Sequence, residues 1–214
     1  MNRVLKKIRQ DNKELITSEE LKKYCQELYF NYKIIGNYLI SRGYLVNVLD
    51  NIYYVKTIDE VSQNMLKFSI LELVAKALEF KNVHNWYFGL YTALKLNEID
   101  YDHQNKFVYL INNLFIKNKP IKIMGKKFRV LRFKNASFKF GIINEKVRYS
   151  DLEKTILDLL YLWEYKHMNE RRIIIELSKL LDGSSKEKIL DYSQYYPKSN
   201  KFILKKALKI LNYN

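Results

Sequence analysis

The sequence predicts an α+β fold, and three observations predict it. Thr17 to Val55 carries two short helical patterns followed by a hairpin pattern. From Leu66 to Leu96 the apolar residues keep a helical period, and from Phe107 to Ile143 they alternate in β fashion. After Tyr149 the spacing is helical again. Composition agrees: 48% of the 214 residues are hydrophobic, which suits a packed core and not a disordered chain.

Each N-terminal element has a local reason. Val4 to Asp11 reads as a short helix with Val4, Leu5 and Ile8 inward. Thr17-Ser18-Glu19-Glu20 is a capping box, in which the Thr17 hydroxyl accepts from the Glu20 amide and the Glu20 carboxylate reaches back. The helix it opens has a stripe of Leu21, Tyr24, Cys25 and Leu28. Tyr29-Phe30 turns the chain into Asn31, a second N-cap. The next helix is expected to bury Ile35, Tyr38 and Leu39 and to stop at Gly43, a residue suited to a left-handed C-cap. Tyr44 to Val55 alternates about Asp50-Asn51, a hairpin turn pair. Helix, turn, helix and hairpin together read as a winged helix-turn-helix over residues 1–58. Lys56 to Glu60 reads as a polar link to a mixed helix/sheet domain over residues 59–214, with a helical end.

The face left over on the second helix suggests what the first domain touches. With Ile35, Tyr38 and Leu39 inward, Tyr32, Lys33, Asn37 and Ser41 face outward, with Arg42 at the end. Asn pairs with adenine edges, Lys reaches guanine or phosphate, and Tyr and Ser bond phosphates. The N-terminal half of such a helix meets base edges, which favours Tyr32, Lys33 and Asn37 as readers. Thr17 and Ser18, at a helix N-terminus, fit a phosphate clamp, and Asn51 sits at the hairpin tip beside the same DNA. The alternative is a protein-binding module whose polar face is simply solvated.

In the second domain, Leu66, Ile70, Leu73, Val74, Ala77 and Leu78 keep a 3.6-residue period. Trp86 to Leu96 is apolar nearly all round and predicts a central helix. Strands are expected at Phe107–Ile111, Ile121–Met124, Lys127–Phe133 and Phe138–Ile143. Ser150 with Glu153 reads as another capping box, opening a helix with Ile156, Leu157, Leu159, Leu160 and Leu162. Helices follow at Arg171–Leu181 and Lys186–Tyr195. A last one, from about Asn200, sets Lys201, Lys205, Lys206 and Lys209 opposite Ile203, Leu204, Leu208 and Leu211.

The net charge of +15 is unevenly placed. Residues 1–60 hold 10 Lys/Arg against 8 Asp/Glu, whereas Lys117 to Arg148 hold 11 against the single acid Glu145. Within the basic β region 107–148, alternation puts Phe128, Val130 and Phe133 on one sheet face. Lys122, Lys126, Lys127, Arg129, Arg132, Lys134 and Lys139 are expected on the other. That pattern serves either as a solvated face with lysines guarding strand edges or as a basic surface for a polyanion or acidic protein.

Several classes drop out. The single cysteine, Cys25, excludes an internal disulfide framework and cysteine metal clusters. The N-terminus lacks the apolar stretch of a signal peptide, and no apolar run approaches the roughly 20 residues of a membrane span, so a cytoplasmic protein is expected. His84, His103 and His167 share no ligand spacing. Gly183-Ser184-Ser185 is similar to the opening of nucleotidyltransferase sites, yet no Asp-x-Asp pair follows to hold magnesium. Glu164-Tyr165-Lys166 and Glu79-Phe80-Lys81 match half of a nuclease motif but lie in helical patterns. No phosphate loop is present. No catalytic residue, metal ligand or cofactor is expected.

Tyr87-Phe88-Gly89-Leu90-Tyr91-Thr92-Ala93-Leu94, a basic β region, and then Val147 to Leu160 with its Ser-Asp-Leu-Glu-Lys-Thr run resemble the AbiEi family. Its members are antitoxins of abortive-infection (type IV) toxin–antitoxin systems. The resemblance covers nearly the whole chain on short, mostly structural motifs and does not extend to the C-terminal end. It implies a transcriptional autorepressor that binds double-stranded DNA at promoter repeats, two copies meeting on the DNA. It also implies a neighbouring nucleotidyltransferase-like toxin, AbiEii, and a C-terminal domain that supplies antitoxicity. A solitary regulator, or a protein-binding antitoxin whose basic face covers an acidic partner, is the alternative.

Overall fold

Asn2 caps the first helix, α1 (Arg3–Gln10), its side chain accepting from the Val4 amide at 2.9 Å. Val4, Leu5 and Ile8 are fully buried, as their spacing predicts. The structure, a computed structural model, describes residues 2–101 and 106–210. They divide into two units, Met1–His84 with Lys122–Gly125, and Asn85–Ile121 with Lys126–Asn214.

In the first unit a short strand that periodicity did not reveal, β1 (Leu15–Thr17), leads into α2 (Ser18–Glu27) and α3 (Tyr32–Ser41). The hairpin β2 (Leu45–Leu49) and β3 (Ile52–Val55) follows, and β1 joins it in a sheet of order β1-β3-β2, antiparallel throughout. The register slips between Asn47 and Leu49, so Val48 is an extra residue that points inward and is fully buried. Asn51 turns the hairpin at φ +64, and Gly43 leaves α3 at φ +69. Leu5, Ile16, Leu21, Cys25, Leu39 and Leu45 anchor the core between helices and sheet.

Lys56 to Glu60, expected as a polar link, instead carries a buried carboxylate, Glu60. α4 (Ile58–Ser62) opens with a capping box of Thr57 and Glu60. The Glu60 carboxylate accepts from the Tyr54 hydroxyl at 2.9 Å and from the Lys67 and Thr57 amides at 2.7 and 2.8 Å. Burial pushes this carboxyl up, but those donors outweigh it and hold it below the usual carboxylate range. A polar run looks like linker by composition, and converging donors make it part of a core. The first unit therefore continues past residue 58, through α5 (Ile70–Phe80), which packs on β2. Ser69 and Glu72 form the capping box of α5, so Leu66 lies outside the helix.

The second unit corrects the expected helix at Trp86–Leu96. Trp86–Phe88 is a strand, β4, and only Leu90–Leu96 is helix, α6. All three strand residues are fully buried, and a strand covered on both faces shows no alternation to distinguish it from a buried helix. At Gly89 a side-chain Cβ would stand 2.4 Å from Ile111 Cδ1, so a larger residue there would force the buried Ile111 side chain to move.

The remaining strands are β5 (Phe107–Asn112), β6 (Ile121–Ile123), β7 (Lys126–Arg132), β8 (Ile142–Asn144) and β9 (Arg148–Ser150). Asn135–Phe138 is a 3₁₀ turn, so the strand expected over Phe138–Ile143 shrinks to its end. The unit's sheet runs β7-β5-β4-β9-β8, with β7/β5 and β4/β9 parallel and β5/β4 and β9/β8 antiparallel. Tyr87, Ile111 and Leu131 align across it on one face, which packs on helices. Phe88, Leu110 and Val130 align on the other, and they are buried too.

The central helix is α7 (Leu152–Tyr165), with ten of its 14 residues buried; α6, α8 (Glu170–Leu181), α9 (Lys186–Ser193) and α10 (Lys198–Ile210) all touch it. Its cap is Asp151, which accepts from the Lys154 amide at 2.9 Å, and not Ser150 as expected. Ser150 ends β9 and bonds Thr155 between side-chain oxygens at 2.6 Å, while Glu153 accepts from the Ser185 amide at 2.9 Å. In α10, Ile203, Leu204 and Leu208 are buried as expected, and Leu211 lies outside the described residues.

Lys154 and Asp158, one turn apart on α7, have no exposed side-chain surface, with Nζ 3.5 Å from Oδ1. Asp158 also accepts from the Tyr87 hydroxyl at 2.8 Å and the Tyr196 hydroxyl at 2.6 Å. The ammonium lies 4.7 Å from the Tyr87 ring centroid and 4.5 Å from that of Phe140. Burial pushes Lys154 down and Asp158 up; their mutual attraction and the two hydroxyls oppose it.

Both buried charges can be tested by substitution. Glu60→Ala strands three donors and is expected to cost about 2–3 kcal/mol in urea denaturation at neutral pH. Because the Glu60 pKa is depressed on folding, its contribution exists above the ordinary carboxylate pKa and vanishes as pH falls through the depressed one. The gap between wild type and variant should therefore close on acidification; a gap independent of pH would refute the ionic role. Lys154→Met leaves Asp158 buried and unpaired, at about 3–5 kcal/mol. Adding Asp158→Asn should recover part of that loss, and strictly additive costs would show that the two groups do not interact.

Candidate nucleic-acid interface

Asn31 sets the start of α3 by accepting from the Lys33 and Ile34 amides at 3.0 and 3.3 Å. Ile35, Gly36 and Leu39 then face inward. Gly36 is buried on this side too: a Cβ there would be in ordinary contact with Leu21 and Tyr32 at 3.9 Å, so this side faces α2. The inward direction thus includes Tyr32, one turn before Gly36, and Tyr32 is half-buried on the core instead of facing out. Tyr38 is the reverse case, 40% exposed where burial was expected, because each residue rotates about 100° and Tyr38 lies past the edge of the Leu39 side. Ile34, 68% exposed, joins it on the outer surface.

Lys33 and Asn37 are exposed, as expected, and stand one turn apart. With Leu21, Tyr32, Gly36 and Ile40 they line a cleft of about 250 Å³, closed by Tyr53 of β3. Tyr53 escaped the sequence reading, although strand alternation beside the buried Tyr54 would have placed it on the opposite face. Ser41 is exposed, but its hydroxyl donates back to the Tyr38 carbonyl at 3.1 Å. Arg42 is the exposed C-cap.

Thr17, Ser18 and Asn51 come together at the N-terminus of α2. The Ser18 amide donates to the Asn51 carbonyl at 3.0 Å, and their side-chain oxygens are 3.4 Å apart. Thr17 closes its capping box, its amide on Glu20 Oε2 at 2.8 Å and its hydroxyl oxygen accepting from the Glu20 amide at 3.0 Å. Burial pushes the Glu20 carboxyl up, but the Thr17 amide and Lys13, 3.0 Å away, hold it below its ordinary value. The Thr17 amide and hydroxyl, expected to hold a phosphate, are thus both engaged with Glu20. Glu19 and Glu20 put negative charge in the first turn, where it satisfies the helix dipole and repels a phosphate.

The basic block does not form one sheet face, because both faces of that sheet are buried. Phe128 and Val130 point to one face with Arg132 in register beside them, while Arg129 and Leu131 point to the other. The expected grouping of Arg132 with Lys127 and Arg129, opposite Phe133, breaks the two-residue period and is corrected. Arg129 is half-buried with its guanidinium 4.7 Å from the Phe107 ring centroid. Burial, then the charge of Arg129, pushes the Lys166 ammonium down. Lys122, Lys126, Lys127, Arg132, Lys134 and Lys139 are exposed at strand ends, in turns and in loops.

His84 and His167 are exposed, and His103 lies outside the described residues. Among the described residues no group of three or more His, Cys, Asp or Glu is placed to hold a metal ion. No described helix is long and apolar enough to cross a membrane.

No protein-family model and no curated protein matches the chain. Among solved structures it is similar to the crystal structure of the RV2827C protein from Mycobacterium tuberculosis. The TM-score is 0.53 at 10% identity, over 98% of this chain and 75% of that one. At this identity the likeness speaks for a shared mixed α+β fold and for nothing further.

Proposed function

We propose that the first unit is a winged helix-turn-helix that reads duplex DNA through α3. The observation that carries this is the pair Lys33 and Asn37, exposed one turn apart from the first turn to the middle of the second helix of a helix-turn-helix, beside Tyr53 of the hairpin. With the resemblance to AbiEi antitoxins, the reading becomes a cytoplasmic transcriptional autorepressor and antitoxin of an AbiE-like type IV system. Two copies bind repeated half-sites in its own promoter, about 34 Å apart. The exposed lysines of the second unit add phosphate contacts without base information. The toxin to be neutralised is nucleotidyltransferase-like.

A second reading has its own observation. Ile34 and Tyr38 expose apolar surface on α3, and Tyr29 and Phe30 do so on the turn before it. Such a surface fits a protein partner, and in that case α3 serves neutralisation directly.

Fluorescence anisotropy on promoter DNA separates the two. Asn37→Ala should cost about 1–3 kcal/mol on the cognate site and relax preference at one base pair. Replacing Lys126, Lys127, Lys134 and Lys139 one at a time should lower the salt-dependence slope by about one unit wherever the lysine neutralises a phosphate, with base preference retained. If Lys33→Ala and Asn37→Ala leave DNA binding intact while Ile34→Ser and Tyr38→Ser abolish toxin rescue, the protein-partner reading replaces the DNA one.

A further inference from the structure

The second unit holds a cleft of about 810 Å³ that the DNA reading does not use. Its walls are unusual in composition. Four aromatic rings line it, Phe133, Tyr161, Tyr195 and Tyr196, together with the cations Arg132 and Lys134 and the amide of Asn113, and no carboxylate does. Neither Arg132 nor Lys134 makes an ion pair among the described residues, although carboxylates are engaged by cations elsewhere in the unit. Its size falls within the range of about 300–1,000 Å³ usual for small-molecule sites.

The rings are held in place. Phe133 meets Tyr161 edge-on with centroids 5.5 Å apart. The Tyr196 hydroxyl is fixed on Asp158 at 2.6 Å. Tyr195 stacks on Phe140 at 4.5 Å and 16°, and it is still 46% exposed, so part of this lining ring stays uncovered. Asn113 donates to Asn135 Oδ1 at 2.9 Å, while its own Oδ1 is buried with no hydrogen-bond partner.

We propose that this cleft binds a nucleoside phosphate. The base stacks against the Tyr195 side, and the phosphate lies between Arg132 and Lys134. The chemistry is additive: aromatic rings accept any base face, cations take phosphate, and the missing carboxylates remove a source of repulsion. Free nucleotide and the 5′-phosphorylated end of a single strand share this chemistry. The proposal is independent of duplex reading by α3.

Isothermal titration of the full chain tests it, with AMP, CMP, UMP, adenosine, inorganic phosphate, phosphotyrosine and a 5′-phosphorylated deoxyadenosine oligonucleotide as probes. AMP, CMP and UMP should all bind saturably, and adenosine and inorganic phosphate more weakly. Arg132→Ala should weaken AMP about tenfold or more, and Tyr195→Ala about fivefold or more. Both residues are exposed, so the variants should keep the wild-type circular dichroism spectrum. If the oligonucleotide binds at least ten times tighter than AMP through the same residues, the ligand is a strand end. Equal affinity identifies the free nucleotide. Absence of saturable AMP and oligonucleotide binding, indifference to both substitutions, or preference for phosphotyrosine overturns the proposal.

Discussion

The second unit depends on one buried ion pair and on the groups that make its burial tolerable. Taking an ammonium and a carboxylate out of water costs several kcal/mol per ion, and attraction across 3.5 Å in a low dielectric offsets this only when the remaining lone pairs and protons are satisfied. Here Tyr87 comes from β4, Tyr196 from the segment before α10, and Phe140 from the segment before β8, and each closes on Lys154 or Asp158 of α7. Strand, helix and loop must all be in place before the pair is satisfied. A core of leucines would accept several packings, and this network accepts one. Gly141 belongs to the same constraint, since a Cβ there would come within 2.8 Å of Lys154 Cβ while the backbone sits at φ +59.

The first unit uses the same device on a smaller scale. Glu60 gathers Tyr54 of β3 and the amides around α4, so a run of polar residues becomes the joint between sheet and helix. In the first unit the charged residue is near the start of a helix, where the amide of its cap residue helps to satisfy it. The Glu20 capping box follows the same logic, and it leaves the N-terminus of α2 supporting the hairpin tip.

This division of labour shapes the functional reading. Side chains that look like polar readers in a linear pattern are partly committed to structure: Thr17 and Ser18 to caps and the hairpin, Ser41 to its own helix, Arg129 to Phe107. The groups left with free polar ends are Lys33, Asn37 and Arg42 on or at the end of α3, and the lysines of the turns in the second unit. Function on this scaffold is carried by what folding leaves over.

Much was determined by the sequence alone, wherever a local signal has a local cause. The Thr17–Glu20 capping box, the Asn31 cap, the Gly43 stop, the Asp50-Asn51 turn and the inward Val4, Leu5 and Ile8 depend on neighbours within a few residues, and each stands where spacing put it. Lys33 and Asn37 are outward for the same reason. Tertiary structure decided the rest. Trp86–Phe88 became a strand because both of its faces found partners, which erases the alternation that marks a strand. Tyr32 and Tyr38 exchanged places because the side of α3 that meets the core runs through Ile35, Gly36 and Leu39, and a hydrophobic count passes over Gly36. The basic block has no common face because central residues on both faces of the sheet are buried. The Lys154 pair was invisible for the plainest reason: its partners are 67, 14 and 42 residues away along the chain, and only folding brings Tyr87, Phe140 and Tyr196 to it.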